Sequence, residues 1–220
     1  VSLSAPELLT EKHDVSQFSC GKPSLDHWLK TRALSNQRKG FTVVMVVHEA
    51  GRVVGYYGLA PTAVVPSTLP RSVRTGQPPD PVPCLLLGQL ATDTTWAGRG
   101  VASGLLKHAL RRCVEAARLV GGRAVLVNAV DAEAARWWRA RGFLPTKDDA
   151  LLLFRSVADI AASVGRCGLI GYSGTHSMIE LDARTWLPDG AAFHMNQPHE
   201  RSARRPVAVT SGVLSSVMKL

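Results

Sequence analysis

One short run constrains this 220-residue chain more than any other: Ala97-Gly98-Arg99-Gly100-Val101-Ala102-Ser103. It follows an apolar, buried-type strand over residues 84–91 and a connector over 92–97, and it opens a helix reaching about residue 119. In that helix Leu105, Leu106, Ala109, Leu110 and Cys113 recur on one face. A helix N-terminus exposes unpaired amides and the positive end of the macrodipole. Glycines let a ligand come close to the main chain, and the combination makes a cradle for a pyrophosphate. Arg99 and Lys107 add charge at its mouth. The next strand, residues 123–128, has to lie parallel to the first across this helical crossover. The fold class is therefore α/β.

The remaining elements fit around that unit. Leu25, Trp28, Leu29 and Leu34 predict a helix over 24–38, with Ser24 as N-cap after Pro23 and Gly40 as terminator. Its other face carries Lys30, Arg32, Arg38 and Lys39. Strands over 41–47 and 53–60 read as an antiparallel hairpin about Glu49-Ala50-Gly51-Arg52. Pro61, Pro66, Pro70, Pro78, Pro79, Pro81 and Pro83 predict a long surface loop over 61–83, because proline lacks the donor that a sheet interior needs. A helix over 131–141 has Asp131 as N-cap, Glu133 in its first turn and Gly142 at its end, and it carries Arg136, Arg139 and Arg141. A last strand covers 150–155. Beyond about residue 164 neither a helical nor a strand period is sustained, and Pro188, Pro198 and Pro206 interrupt the text. The expected organisation is one domain over 1–163 and an atypical, poorly ordered extension over 164–220, with a small accessory module as the alternative.

Composition narrows the class. Hydrophobic residues make up 45% and charged residues 20%, no apolar run is long enough for a bilayer, and residues 1–12 hold no signal segment, so a cytoplasmic location is expected. Four scattered cysteines give no Cys-x-x-Cys pair and seven histidines show no ligand spacing, so no metal is expected. The formal charge of +9, from 26 basic and 17 acidic residues, suits a polyanionic partner or a phosphorylated cofactor and does not choose between them.

Three phosphate-binding folds compete for the glycine turn. A P-loop needs Gly-Lys-Ser/Thr after its glycines, which is absent. A dinucleotide turn needs a third glycine where Ser103 stands and an acidic residue where the next strand ends in Asn128. The third is an acyl-CoA site. Ala97-x-x-Gly100-x-Ala102 resembles the Gln/Arg-x-x-Gly-x-Gly/Ala signature of the GCN5-related N-acetyltransferases (GNAT), with Ala97 in place of the usual first residue. Leu87-Gly88-Gln89-Leu90-Ala91-Thr92-Asp93, Asn128-Ala129 and Gly142-Phe143 resemble the family's flanking segments. His13-Asp14, Phe18-x-Cys20-Gly21, Leu25-Asp26-x-Trp28-Leu29 and residues 53–60 resemble one branch, the toxins of bacterial toxin–antitoxin pairs that acetylate aminoacyl-tRNA. The resemblance covers about residues 3–163.

The resemblance implies a mixed central β-sheet with a splayed parallel strand pair and flanking helices. It implies acetyl-CoA as acetyl donor, with no metal. The main chain of Leu90, Ala91 and Thr92 would bond the pantetheine arm, and Gly98, Arg99, Gly100, Val101, Ala102 and Ser103 would hold the pyrophosphate, with Asn128 nearby. The acceptor would be the α-amino group of an aminoacyl-tRNA, with phosphates met by Lys30, Arg32, Arg38, Lys39, Arg136 and Arg139. A small ribbon-helix-helix-type antitoxin and a homodimer are also implied, with no membrane partner. The family's acid is a tyrosine four residues before Gly-Phe, and here that position is Trp138, whose indole is no usable acid. Two further readings stay open on that account: a GNAT enzyme for another amine, and a weakly active or inactive CoA-binding relic.

Overall fold

The computed structural model describes residues 2–166. The chain divides into two units, one of residues Val1–Leu169 with Leu220 and one of residues Ile170–Lys219. The expected extension therefore lies outside the described residues, save for residues 164–166 at the end of the last helix.

A seven-stranded sheet organises the first unit in the order β1-β2-β3-β4-β5-β7-β6. The strands are β1 (Glu7–Leu8), β2 (Val43–Glu49), β3 (Arg52–Val64), β4 (Val82–Thr92), β5 (Ala124–Asn128), β6 (Leu144–Pro145) and β7 (Leu152–Ser156). All neighbours pair antiparallel except β4 and β5, the parallel pair flanking helix α3 (Val101–Val120). One face of the sheet carries α1 (Pro23–Trp28), a wide π turn over Leu29–Ala33 and α2 (Leu34–Arg38). Trp28, Leu29 and Ala33 pack there on Val44, Val46 and Tyr56. The other face carries α3, α4 (Ala132–Arg139) and α5 (Val157–Arg166), packed around Tyr57, Leu87, Val125 and Leu153. Strand alternation sends neighbouring Tyr56 and Tyr57 into opposite cores.

The stripe predicted for the central helix is its buried face: Leu105, Leu106, Ala109, Leu110 and Cys113, joined by Val114. It packs tightly on the sheet over Gly55, where an added Cβ would lie 2.8 Å from Leu105 and 3.2 Å from Val101.

Several expectations need correction. The first helix starts at Pro23, with Lys22 in extended conformation as cap, because proline's fixed φ suits the first helical position; Ser24 is inside the helix. Its π turn was not legible as a period, and Thr31 there donates its hydroxyl to the His27 carbonyl at 2.8 Å. The proline-rich loop is shorter than 61–83, since Pro61 and Pro83 are in paired strand. The β2 pairing ends at Leu59, so Pro61 faces no partner on that side, and the β5 pairing begins only at Leu85. The remaining loop is tied down by buried Leu69 and Val73 and by Arg123, which donates to the carbonyls of Val73 at 3.0 Å and Thr75 at 3.1 Å. The two-residue strands β1 and β6 and helix α5 have no sequence signal strong enough to announce them.

Candidate active site

The parallel pair is joined for only two residues, Leu85 to Val125 and Leu86 to Leu126, while β4 runs on to Thr92. A bulge at Gly88 breaks the β3–β4 register just beyond that point: Leu59 faces Leu87 and Gly58 faces Gln89. The strands splay, and a cavity of about 210 Å³ fills the gap. Residues 87–92 form one wall, Asn128, Val130, Ala134, Trp137 and Trp138 the opposite one, and Cys20, Lys22 and Leu25 close it from the α1 side, with Ala102 at the start of α3. Of the expected cofactor residues, Leu90, Ala91, Thr92, Ala102 and Asn128 thus line one cleft.

The glycine turn stands beside it. Gly98 and Gly100 adopt left-handed φ of 73° and 83°, with open space around both. Gly100 caps α3 with no side-chain bond, so the first amides of the helix, from Val101 to Ser103, are offered outward. Arg99 lies over the Trp96 ring at 4.9 Å. Thr92 Oγ1 is the one buried side-chain polar atom without a partner among the described residues. Uncapped amides, unhindered glycines and an orphan hydroxyl fit a ligand with phosphates and amide groups, as acetyl-CoA has.

The turn is held from the N-terminal segment. Asp93, 1% exposed, accepts from the amides of Ser19 at 3.1 Å and Thr95 at 3.0 Å and from the Thr95 hydroxyl at 2.6 Å. Burial pushes its carboxyl up, but the bonds from Thr95 and Ser19 outweigh this and hold it below the ordinary value. Asp26 accepts from the Cys20 amide at 2.8 Å, so the Ser19-Cys20 wall is pinned by two carboxylates.

Trp138 is 7% exposed, edge-to-face with both Trp137 and Phe143, and forms part of the cleft wall. Among the cleft-lining residues only Cys20 and Lys22 titrate. Burial, aided by Asp26, pushes the Cys20 thiol up to about 11, so it stays protonated near neutrality and is a poor nucleophile. Tyr56 and Tyr57 are fully buried, bonded to the Leu25 carbonyl and to His108 Nδ1 at 2.8 and 2.7 Å, and neither lines the cleft. Trp137 is half-buried and lines the cleft, with Arg141 3.5 Å over its ring.

Lys30, Arg32, Lys39, Arg136 and Arg139 are exposed, as is Arg38, which is ion-paired with Glu11. The structure does bring together one group invisible to spacing: His13, His48 and Glu7. Each ring accepts a main-chain N–H at Nδ1, from Thr10 at 2.9 Å and Gly51 at 3.1 Å. Each neutral ring therefore carries its proton on Nε2 and donates it to Glu7, at 2.8 and 3.1 Å. Those nitrogens have no lone pair to offer a metal, and the trio reads as a brace between the N-terminal segment and the β2–β3 hairpin.

Comparison with known proteins agrees with this architecture. Residues 7–143 match the acetyltransferase (GNAT) family. A tRNA-acetylating toxin of Mycobacterium tuberculosis (strain H37Rv) is 42% identical over 162 residues, which is 74% of this chain and 97% of that protein. Among solved structures, AtaT complexed with acetyl-methionyl-tRNAfMet superposes with a TM-score of 0.67 at 26% identity, over 74% of this chain and 99% of that one. A mutant AtaT toxin bound to the C-terminus of the antitoxin AtaR and acetyl-CoA gives 0.63 at 25%, over 74% and 98%. A KacT mutant, at 24% identity and 0.68 over 73% and 98%, shares the fold. Among the described residues no helix is long and apolar enough to cross a membrane.

Proposed function

Because this chain belongs to the GNAT acetyltransferase family, we propose that its cleft moves the acetyl group of acetyl-CoA to the α-amino group of an aminoacyl-tRNA, as a translation-blocking toxin does. The observation that carries the reading is the match to a tRNA-acetylating toxin over 97% of that protein's length. The family match over residues 7–143 spans the glycine turn and the N-terminal wall.

Acetyl-CoA supplies an activated acetyl thioester when bound. The main chain of Leu90, Ala91 and Thr92 beyond the Gly88 bulge supports strand-like bonding to a pantetheine arm, and Gly98, Arg99, Gly100, Val101, Ala102 and Ser103 offer donors and charge to its phosphates. Asn128 lines the cleft from the end of β5. The α-amino group of an aminoacyl ester has a pKa near ~8 rather than the ~10.4 of lysine, so a useful fraction is neutral at physiological pH without a strong base. Trp138 excludes water from the wall and donates no proton, so protonation of the departing thiolate falls to solvent.

In this reading Lys30, Arg32, Arg38, Lys39, Arg136 and Arg139 form the tRNA-facing surface. A small antitoxin of ribbon-helix-helix type covers the cleft, the toxin works as a homodimer in the cytoplasm, and residues 1–163 suffice for the acetyltransferase domain, with 164–220 as an extension. A second reading, a CoA-binding protein with little turnover, is favoured by Trp138 alone.

The deciding experiment incubates the protein with acetyl-CoA and a mixture of charged tRNAs and weighs the aminoacyl groups by mass spectrometry. Acetylated aminoacyl ends are expected. Thiol release only with free small amines points to another acceptor, and tight acetyl-CoA binding without thiol release supports the second reading.

A further inference from the structure

We propose that Lys22 receives the phosphate next to the aminoacylated adenosine of the acceptor RNA, that Asp131 holds it ready for that contact, and that Glu133 is the partner the phosphate displaces. The inference rests on the aminoacyl-tRNA reading above. Lys22 is the one cation among the residues lining the cleft. The neighbouring mouth residues Leu25, Val130, Ala134 and Trp137 offer no charge. An amine that reaches the acetyl end as an ester of a terminal adenosine brings one anion close behind it, that nucleotide's own phosphate. The Lys22 ammonium, the one cation in the cleft lining, is the group placed to meet it.

The ammonium is held out in a defined position. It lies 2.7 Å from Asp131 Oδ2 and 3.5 Å from Glu133 Oε2. Asp131 cannot follow a moving lysine, because its Oδ1 accepts from the Ala134 amide at 2.8 Å as the cap of α4, and the helix end offsets part of its charge. Glu133 is the loose partner, 76% exposed and bonded at the limit of hydrogen-bond length. An ammonium has three donors, and the described residues account for two of them. A phosphate oxygen can take the third, and can also displace Glu133. The bond network thus keeps a flexible side chain extended before substrate arrives.

The test compares two acceptors with the full-length protein: aminoacyl-tRNA, and an aminoacyl-adenosine that lacks any phosphate. Lys22→Gln is expected to lower kcat/KM for the tRNA about tenfold more than for the nucleoside, through KM. The slope of log affinity for the tRNA against log salt should become shallower by about 0.7, as for one lost single-strand phosphate contact. Lys22→Arg should restore most of the loss. Glu133→Gln, at an exposed position, should lower KM for the tRNA and leave its ratio on the nucleoside near that of the wild type. An equal loss on both acceptors, an unchanged salt slope, or a higher tRNA KM in Glu133→Gln overturns the proposal and leaves the acetyltransferase reading standing. A wild type that acetylates neither acceptor removes that parent reading as well.

Discussion

On the proposed function, Trp138 puts a bulky indole where a proton donor would speed the loss of the thiol, and the cost is measurable. The ring is wedged between Trp137 and Phe143 in the wall of the cleft. Trp138→Tyr places a phenol there, and thiol release at saturating substrates should rise at least about tenfold, the low end of general acid catalysis being about a hundredfold. Trp138→Phe, which carries no acid, should not rise; equal rates in the two variants would show that proton supply is not what limits turnover. Asp93 gives a second residue-scale expectation. Its folded carboxyl is held below the ordinary value of 3.8, so its contribution to stability is present above that value and is lost as pH falls through the folded one. Asp93→Asn should therefore melt well below the wild type near neutral pH, with a gap of about 2 kcal/mol from weakened bonds to buried amides, and the two should converge in acid. A constant gap across that range would mean that the charge plays no part.

Helix α3 and strand β4 act as one device, and its tolerances are set by glycine. A side chain at Gly100 would have to adopt a left-handed φ of 83°, which costs roughly 1–2 kcal/mol, and it would shadow the uncapped amides. Gly100→Val should weaken acetyl-CoA binding at least tenfold by calorimetry while the far-ultraviolet spectrum is kept. Gly55→Ala acts from beneath: its methyl would meet Leu105 at 2.8 Å and lift the start of α3. A loss of about 1–3 kcal/mol in denaturant unfolding is expected, with weaker acetyl-CoA binding, although Gly55 touches no ligand. The two glycines also show what the sequence could tell. Gly98 and Gly100 sit between a strand pattern and a helix pattern, so local rules suffice to place the turn. Gly55 looks like any strand glycine until α3 is laid across it, 46 to 50 residues further along the chain at Val101 and Leu105. The Gly88 bulge is hidden likewise, because it is defined by a partner strand. The strands β1 and β6 are too short to carry a period, and the meeting of Lys22 with Asp131 spans 109 positions. Pro61 and Pro83 misled in the opposite direction, since the rule against proline applies only where a partner needs the missing donor.

For the molecule as a whole, the net charge of +9 predicts that association with tRNA weakens steeply with salt while acetyl-CoA binding changes far less. Titrations of both ligands over a salt series check this, and parallel slopes would place the basic residues at the donor rather than the acceptor. The bulge at Gly88 has a wider consequence. It lies just beyond the last β4–β5 pair, where β4 runs on as bare backbone along one side of the cleft, with Leu25, Lys22, Val130 and Trp137 elsewhere in the lining. On the proposed function the thioester carrier meets that backbone and the acceptor meets those side chains, so donor choice is written in main chain and acceptor choice in side chains. Mutation can redraft the second without disturbing the first, so close kin of such a protein can diverge in what they mark while all draw on the same acyl source.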